Sequence, residues 1–274
     1  MAVIPRIRIR NPFHGKPIRR IQREVYQRVY DYPYRNILIV SLPKSGSSWL
    51  FRMLRAVPGY LHWEPNYLKF LWHDLHYEYC LKPAPGYTVT KTHTRPTWEN
   101  IKIIEQTGNN YIILLRDLRD VAVSWCFYVG NTPHHRLHHM YKPMSIQERL
   151  DWYMKTMLPE FIFWVENWQA RRNPEKGLIV CYEDLRGKTY HELSRIYKHC
   201  GIDLPESKVH EIVDRHSFRR ETGRDPGQED PTQFNRKAVV GDWINHFTPE
   251  LKDRFKEMAG ETLIKLGYED DLNW

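Results

Sequence analysis

Short, nearly continuous apolar runs alternate along the chain with stretches in which apolar residues recur three and four positions apart. "NILIVSL" (36–42) precedes an amphipathic stretch at about 47–56. "YTVTK" (87–91) precedes "TWENIKIIEQTG", where Thr97 is placed to cap a helix and Gly108 to stop it. "YIILLR" (111–116) precedes "DVAVSWCFY", and "GLIVCY" (177–182) precedes a helix predicted from about 188 to 200. Strands with no polar alternation are buried on both faces, so the pattern predicts a parallel sheet covered by helices on both sides. The polar stretch 220–240, rich in Gly and Pro, reads as a loop, and a last helix is expected from Pro249 to about Leu266. No internal repeat or shift in composition marks a second domain. The expectation is one α/β domain over residues 36–274, preceded by a basic arm and helix over 1–35.

In that arm Ile18, Ile21, Val25 and Val29 share one helix face. Such a helix is expected to pack its apolar face on the domain and leave its charges in water; a basic amphipathic helix can also lie on an anionic membrane or nucleic acid. Charge sharpens the point. The chain carries a net +8, but eight of its 41 lysines and arginines and one of its 33 acids fall in residues 1–30, leaving 33 bases against 32 acids beyond. The body is therefore nearly neutral, and no nucleic-acid partner is expected of it. No apolar run approaches the ~20 residues of a membrane span, and "MAVIPRIRIR" lacks the continuous apolar segment of a secretory signal. The four cysteines, Cys80, Cys126, Cys181 and Cys200, show no metal or redox spacing, which predicts a reduced, cytoplasmic protein. Self-association is left open.

Candidate chemistry collects where the strands end, which is where open parallel sheets bind ligands. "SLPKSGSSWL" (41–50) follows the first strand as a glycine-containing turn into a helix. The triphosphate-binding pattern G-x-x-x-x-G-K-[ST] fails on it: anchored on Gly46, it would need glycine at Ser41 and lysine at Ser47, and the lysine instead precedes the glycine as Lys44. Helix-start N–H groups with the hydroxyls of Ser45, Ser47 and Ser48 can still bind oxyanions, and Lys44 adds a full charge. In "RDLRDVAVSW", Arg116 and Ser124 could clamp a second phosphate, or Arg116 could form a surface ion pair with Asp117 or Asp120. Arg236 and Lys237 end the polar loop, where a mobile flap could carry them over a ligand.

Three segments in this order closely resemble the sulfotransferases that use 3′-phosphoadenosine-5′-phosphosulfate (PAPS). The family's P-K-S-G-[ST]-[ST]-W matches "PKSGSSW", its R-D-x-R-D-V-x-V-S matches "RDLRDVAVS", and its R-K-G-x-x-G-D-W-x-N-H-F-T matches "RKAVVGDWINHFT". The resemblance spans residues 36 to about 268. It implies in-line sulfuryl transfer from PAPS, with PAP as the product and no metal. On the matched positions it implies that the 43–48 loop, with Lys44, Ser45, Gly46, Ser47 and Ser48, holds the 5′-phosphosulfate, Lys44 neutralising the departing oxygen. "TKTHT" is similar to the family's K-T-H, which makes His93 the general base and sets Lys91 near the sulfuryl oxygens. Arg116, Ser124, Arg236 and Lys237 would hold the 3′-phosphate, with Trp49, Tyr182 and Phe218 at the adenine. Ala238 departs from the pattern, standing where the family has glycine beside the 3′-phosphate.

"HWEP" resembles a pair in carbohydrate sulfotransferases, which makes Glu64 the second candidate base. The aromatic stretch 60–79 is suited to the wall of an apolar acceptor pocket or to core packing. The run "TPHHRLHHMYKP" (132–143), with His134, His135, His138 and His139, is read as a lid over the acceptor rather than a metal site. The expected acceptor is a hydroxylated small molecule such as a phenol or alcohol, or an amine. Two readings compete with this one: a nucleotide kinase with an aberrant phosphate loop, and a basic binding module without catalysis.

Overall fold

Burial on both faces of each strand organises the sheet. In Asn36–Ser41 (β1), Ile37 and Ile39 join one cluster of buried side chains and Val40 the other. In Tyr111–Leu115 (β4), Ile112 and Leu114 join the first, while Tyr111, Ile113 and Leu115 join the second. The computed structural model describes residues 16–62, 74–75 and 86–274. Within them, Tyr60–His62 (β2), Tyr87–Thr92 (β3), β1, β4 and Gly177–Cys181 (β5) form a five-stranded parallel sheet in the order β2-β3-β1-β4-β5. Val40 pairs with Thr92 on one side and Ile113 on the other, so the carboxyl ends of β1, β3 and β4 come out at one edge. The order reverses about β1, the kind of switch point where open α/β sheets leave a crevice.

One face of the sheet is covered by Trp98–Gln106 (α3), Leu118–Gly130 (α4), Ile146–Thr156 (α6), Leu158–Arg171 (α7) and Pro249–Lys265 (α12), which contribute Trp125, Phe161, Trp164, Trp168 and Phe255 to the core. The other is covered by Ser47–Arg55 (α2), Thr189–His199 (α9) and Glu206–Arg215 (α10) through Leu50, Met53, Leu193, Ile196 and Ile212. The short helices His138–Tyr141 (α5), Tyr182–Gly187 (α8) and Phe218–Thr222 (α11) sit in the connections. The indole N–H groups of Trp164 and Trp168 both donate to the Thr94 carbonyl, at 2.9 and 3.0 Å, and fix the chain just beyond β3. Thr97 caps α3 by accepting from the Asn100 N–H, and Gly108 follows that helix with φ 70°, as expected. No described helix is long and apolar enough to cross a membrane.

Two expectations are corrected. The 220–240 stretch begins in α11, whose Ser217 cap accepts from the Arg220 N–H, and is irregular only after it. The N-terminal helix Lys16–Val29 (α1) forms, but its apolar face is not packed at the three positions whose side chains are described: Ile21, Val25 and Val29 are 59%, 48% and 64% exposed, while the Ile18 side chain lies outside the description. The opposite face makes the contacts. Arg23 lies over Gly86, and Tyr30, just past the helix, stacks on Tyr32 with ring centres 5.7 Å apart and accepts from the Tyr87 hydroxyl at 2.7 Å. Tyr32, Tyr60 and Tyr87 form an aromatic cluster at the sheet edge that selects tyrosine over the aliphatic stripe.

Candidate active site

The loop after β1 is held in a conformation that few residues adopt. Lys44 has φ 69° and Gly46 φ 84°, both in the left-handed region. A Cβ on Gly46 would lie 2.6 Å from Tyr182 Cδ2, so a glycine is required there both for its φ and for the tyrosine packed against it. Gly46 opens α2 without a side-chain cap, and the first N–H groups of a helix have no partner within it. Ser45 Oγ is buried with no hydrogen-bond partner among the described residues. Lys91 Nζ, near the end of β3, donates to Ser48 Oγ at 2.9 Å. One residue past β3, His93 Nδ1 lies 2.7 Å from the Ser41 carbonyl oxygen and 3.3 Å from Ser41 Oγ. A carbonyl only accepts, so the proton sits on Nδ1 and the basic lone pair on Nε2.

Arg116, one residue past β4, binds the same loop from the other side. Its guanidinium donates to the carbonyls of Lys44 and Val239, each at 3.2 Å, and lies 4.3 Å from the Tyr182 ring centre. The ion pair with Asp120 anticipated for it is present at 3.4 Å, but it is buried rather than superficial. Asp120 also accepts from the N–H groups of Gly241 (2.8 Å) and Trp243 (3.1 Å), tying the C-terminal turn to α4. That turn carries a cationic pair. Lys237 Nζ donates to Asp242 at 2.6 Å, and Arg236 is paired with both Asp242 and Glu229, the latter at 2.6 Å. Against burial, which would raise it, hydrogen bonds from His246, Lys237 and Arg236 hold the Asp242 carboxyl far below the ordinary range. Ala238 has φ 52°, a left-handed conformation without the glycine that would adopt it at no steric cost.

These elements enclose a cavity of about 870 Å³. Lys44, Gly46, Ser47, Ser48, Trp49, Lys91, His93, Arg116, Ser124, Tyr182, Phe218, Arg236, Lys237 and Ala238 all line it; Ser45 lies behind the wall, and Glu64 falls outside the described residues, as does most of the aromatic stretch 60–79. Trp49 is set by its indole N–H donating to the His216 carbonyl at 2.7 Å. The histidine run divides: His134 and His135 line the cavity, while His138 Nδ1 bonds the Val129 carbonyl at 3.1 Å. Among the described residues, no group of three or more His, Cys, Asp or Glu is placed to hold a metal.

Two aromatic residues had gone unnoticed in the sequence. The Lys44 ammonium lies 3.9 Å from the Tyr128 ring centre and 4.4 Å from that of Phe234. Burial, with the nearby charges of Arg116, Lys91 and Arg236, pushes the Lys44 pKa down to about 7. Tyr128 lies one helical turn beyond Ser124 and Phe234 two residues before Arg236, so helical spacing offered a signal for the first. The site thus joins strand-end cations, an oriented imidazole and aromatic walls, a donor set for a ligand with two anionic groups and a planar ring.

The sequence profile described as "Sulfotransferase domain" matches residues 34–267. Mouse (Mus musculus) sulfotransferase 2A1 is 24% identical over 275 residues, covering 92% of this chain and 94% of the mouse protein. Rat (Rattus norvegicus) sulfotransferase 1E1 is 24% identical over 281 residues, covering 89% and 90%. Among solved structures, mouse sulfotransferase SULT7A1 complexed with PAP superposes with a TM-score of 0.67 at 24% identity, covering 88% of this chain and 89% of that one. Retinol dehydratase in complex with androsterone and inactive cofactor PAP superposes with a TM-score of 0.58 at 17% identity, covering 87% and 85%.

Proposed function

Because this chain belongs to the sulfotransferase domain family, we propose that it moves the sulfuryl group of PAPS to a hydroxyl, or an amine, of a small-molecule acceptor, with His93 as general base. The observation that carries the reading is the meeting of Lys44, Lys91, His93, Arg116, Ser124, Arg236 and Lys237 in one cavity. Two buried polar atoms without partners among the described residues, Ser45 Oγ and Arg116 Nε, border the same anion-binding loop and fit a ligand richer in acceptors than the protein itself provides. PAPS, when bound, supplies an activated sulfuryl group on a phosphate leaving group.

The loop N–H groups and Ser47 hold the 5′-phosphosulfate, and Lys44 neutralises the charge that grows on the oxygen leaving sulfur. Lys91, held by Ser48, faces the sulfuryl oxygens. Arg116, Ser124, Arg236 and Lys237 take the 3′-phosphate, and Trp49, Tyr182 and Phe218 the adenine. His93 Nε2 accepts the proton of the acceptor hydroxyl as its oxygen attacks sulfur, while Nδ1–H stays on the Ser41 carbonyl. His134, His135, Tyr128 and Phe234 wall the acceptor side. A neighbour's complex with androsterone supports a hydroxylated, largely apolar acceptor.

A screen of phenols, alcohols and amines with sulfur-labelled PAPS tests the reading. Label transferred to an acceptor, and lost in the His93→Ala variant, is the expected result; binding of PAP without transfer to any member of these classes would remove the acceptor assignment and leave only the donor site.

A further inference from the structure

The sequence predicts that the apolar stripe of α1 is buried, and the fold leaves it in water. The helix docks through Arg23, which covers Gly86, and is continued by Tyr30, which enters the tyrosine cluster at the sheet edge. With these contacts on one side, Ile21, Val25 and Val29, four residues apart, stand out on the other as three aliphatic side chains in line. Arg28 is exposed beside them. The docking side is polar and aromatic, so rotating the helix to bury the stripe would remove Tyr30 from its cluster.

Two properties of the segment say what meets this stripe. First, eight of the first 30 residues are Lys or Arg and one is acidic, while the remaining 244 carry 33 bases and 32 acids. Nearly the whole net charge of the protein is therefore concentrated on the segment that bears the stripe. Second, the arm before the helix, "MAVIPRIRIR", is itself both aliphatic and basic. Polyanions such as nucleic acids satisfy the arginines but offer no apolar layer for isoleucine and valine. A second copy of the chain offers an apolar stripe but brings seven further net positive charges against the first seven. An anionic lipid surface satisfies both properties at once: headgroups take the charge and the acyl boundary takes the aliphatic stripe.

We infer that α1 forms an anionic-lipid docking surface, with Ile21, Val25 and Val29 inserted at the headgroup boundary and Arg28, exposed beside them, on the headgroups. The helix lies in the interface and does not cross it. This inference is independent of the catalytic reading, since the docking residues lie outside the cavity.

Co-sedimentation of the full chain with vesicles of phosphatidylcholine alone, and of phosphatidylcholine mixed with phosphatidylglycerol, tests it. Binding is expected to the mixed vesicles, weaker on neutral ones, and to decline as salt rises. The double variant Ile21→Asp, Val25→Asp changes only exposed positions, so its unfolding temperature should match the parent's while its vesicle affinity falls about tenfold or more. Equal binding to neutral and mixed vesicles, or unchanged binding by the double variant, would overturn the lipid assignment. So would either of two other outcomes without vesicle binding: retention of a DNA duplex, or a dimer that the double variant dissolves.

Discussion

His93 Nδ1 stands 2.7 Å from the carbonyl oxygen of Ser41, the last residue of the strand that runs into the Lys44 loop. One backbone group thus sets the tautomer of the imidazole and starts the loop that carries Lys44, so the proposed base and that loop share one support. On this geometry His93→Ala should lower turnover by roughly 10²–10⁴-fold and leave the dissociation constant for PAP within about twofold. Parallel turnover and calorimetric titrations check it, with Glu64→Ala as the comparison. Normal turnover in His93→Ala together with loss in Glu64→Ala would transfer the role of base to Glu64.

Lys44, pushed down to about 7 by burial and its cationic neighbours, titrates in the working range. The free protein holds this ammonium only below about pH 7, whereas an unfolded chain keeps it up to the ordinary lysine value. Unfolded chains therefore bind more protons between the two values, and this group's contribution to stability rises with pH across that window. PAP binding should favour the charged form, so complex formation above pH 7 takes up a proton and affinity falls as pH rises. Calorimetry in buffers of different ionisation enthalpy reads the uptake, and Lys44→Met should abolish it.

Glu229 pairs with Arg236 at 2.6 Å and lies 3.8 Å from Lys237, where it would compete for both cations with the 3′-phosphate proposed to bind them. Asp242, anchored below them by His246 and Asn245, holds the pair in place. Glu229→Gln should therefore tighten PAP binding by several-fold, the effect shrinking as salt rises. An unchanged or weaker affinity would mean that Glu229 holds the cations in their binding position.

Ala238 at φ 52° bears a steric cost that glycine would not. Ala238→Gly should stabilise the chain by about 1 kcal/mol, a net of relieved backbone strain against the greater freedom of glycine when unfolded. For a chain of this size that is a rise of about 2–4 °C in Tm, measurable by calorimetry, with no loss of PAP affinity.

Much of this site was legible because its chemistry is tied to strand ends. Lys44, His93, Arg116 and Tyr182 each follow an apolar run whose burial fixes where the strand stops, so their convergence could be read before their contacts were known. Side-chain partners were less legible. Asp120 lies inside a quoted motif, yet its bonds to Gly241 and Trp243 join positions more than a hundred residues apart and have no local signal. Neither has the Lys44–Phe234 contact, which depends on how an irregular loop folds back. The α1 stripe was misread for the opposite reason: its periodicity was correct, but the docking surface is a tyrosine cluster assembled from three separate stretches, and it accepts the polar face.

A thermal-shift titration with PAP beside ATP–magnesium tests the central assignment most directly. At about a hundred times its dissociation constant a ligand adds roughly 2.7 kcal/mol, a rise of about 5–10 °C for this chain. That rise is expected with PAP, and little change with ATP–magnesium. A rise with ATP–magnesium and none with PAP would contradict the assignment, and would take with it the roles given to Lys44, Arg116 and His93.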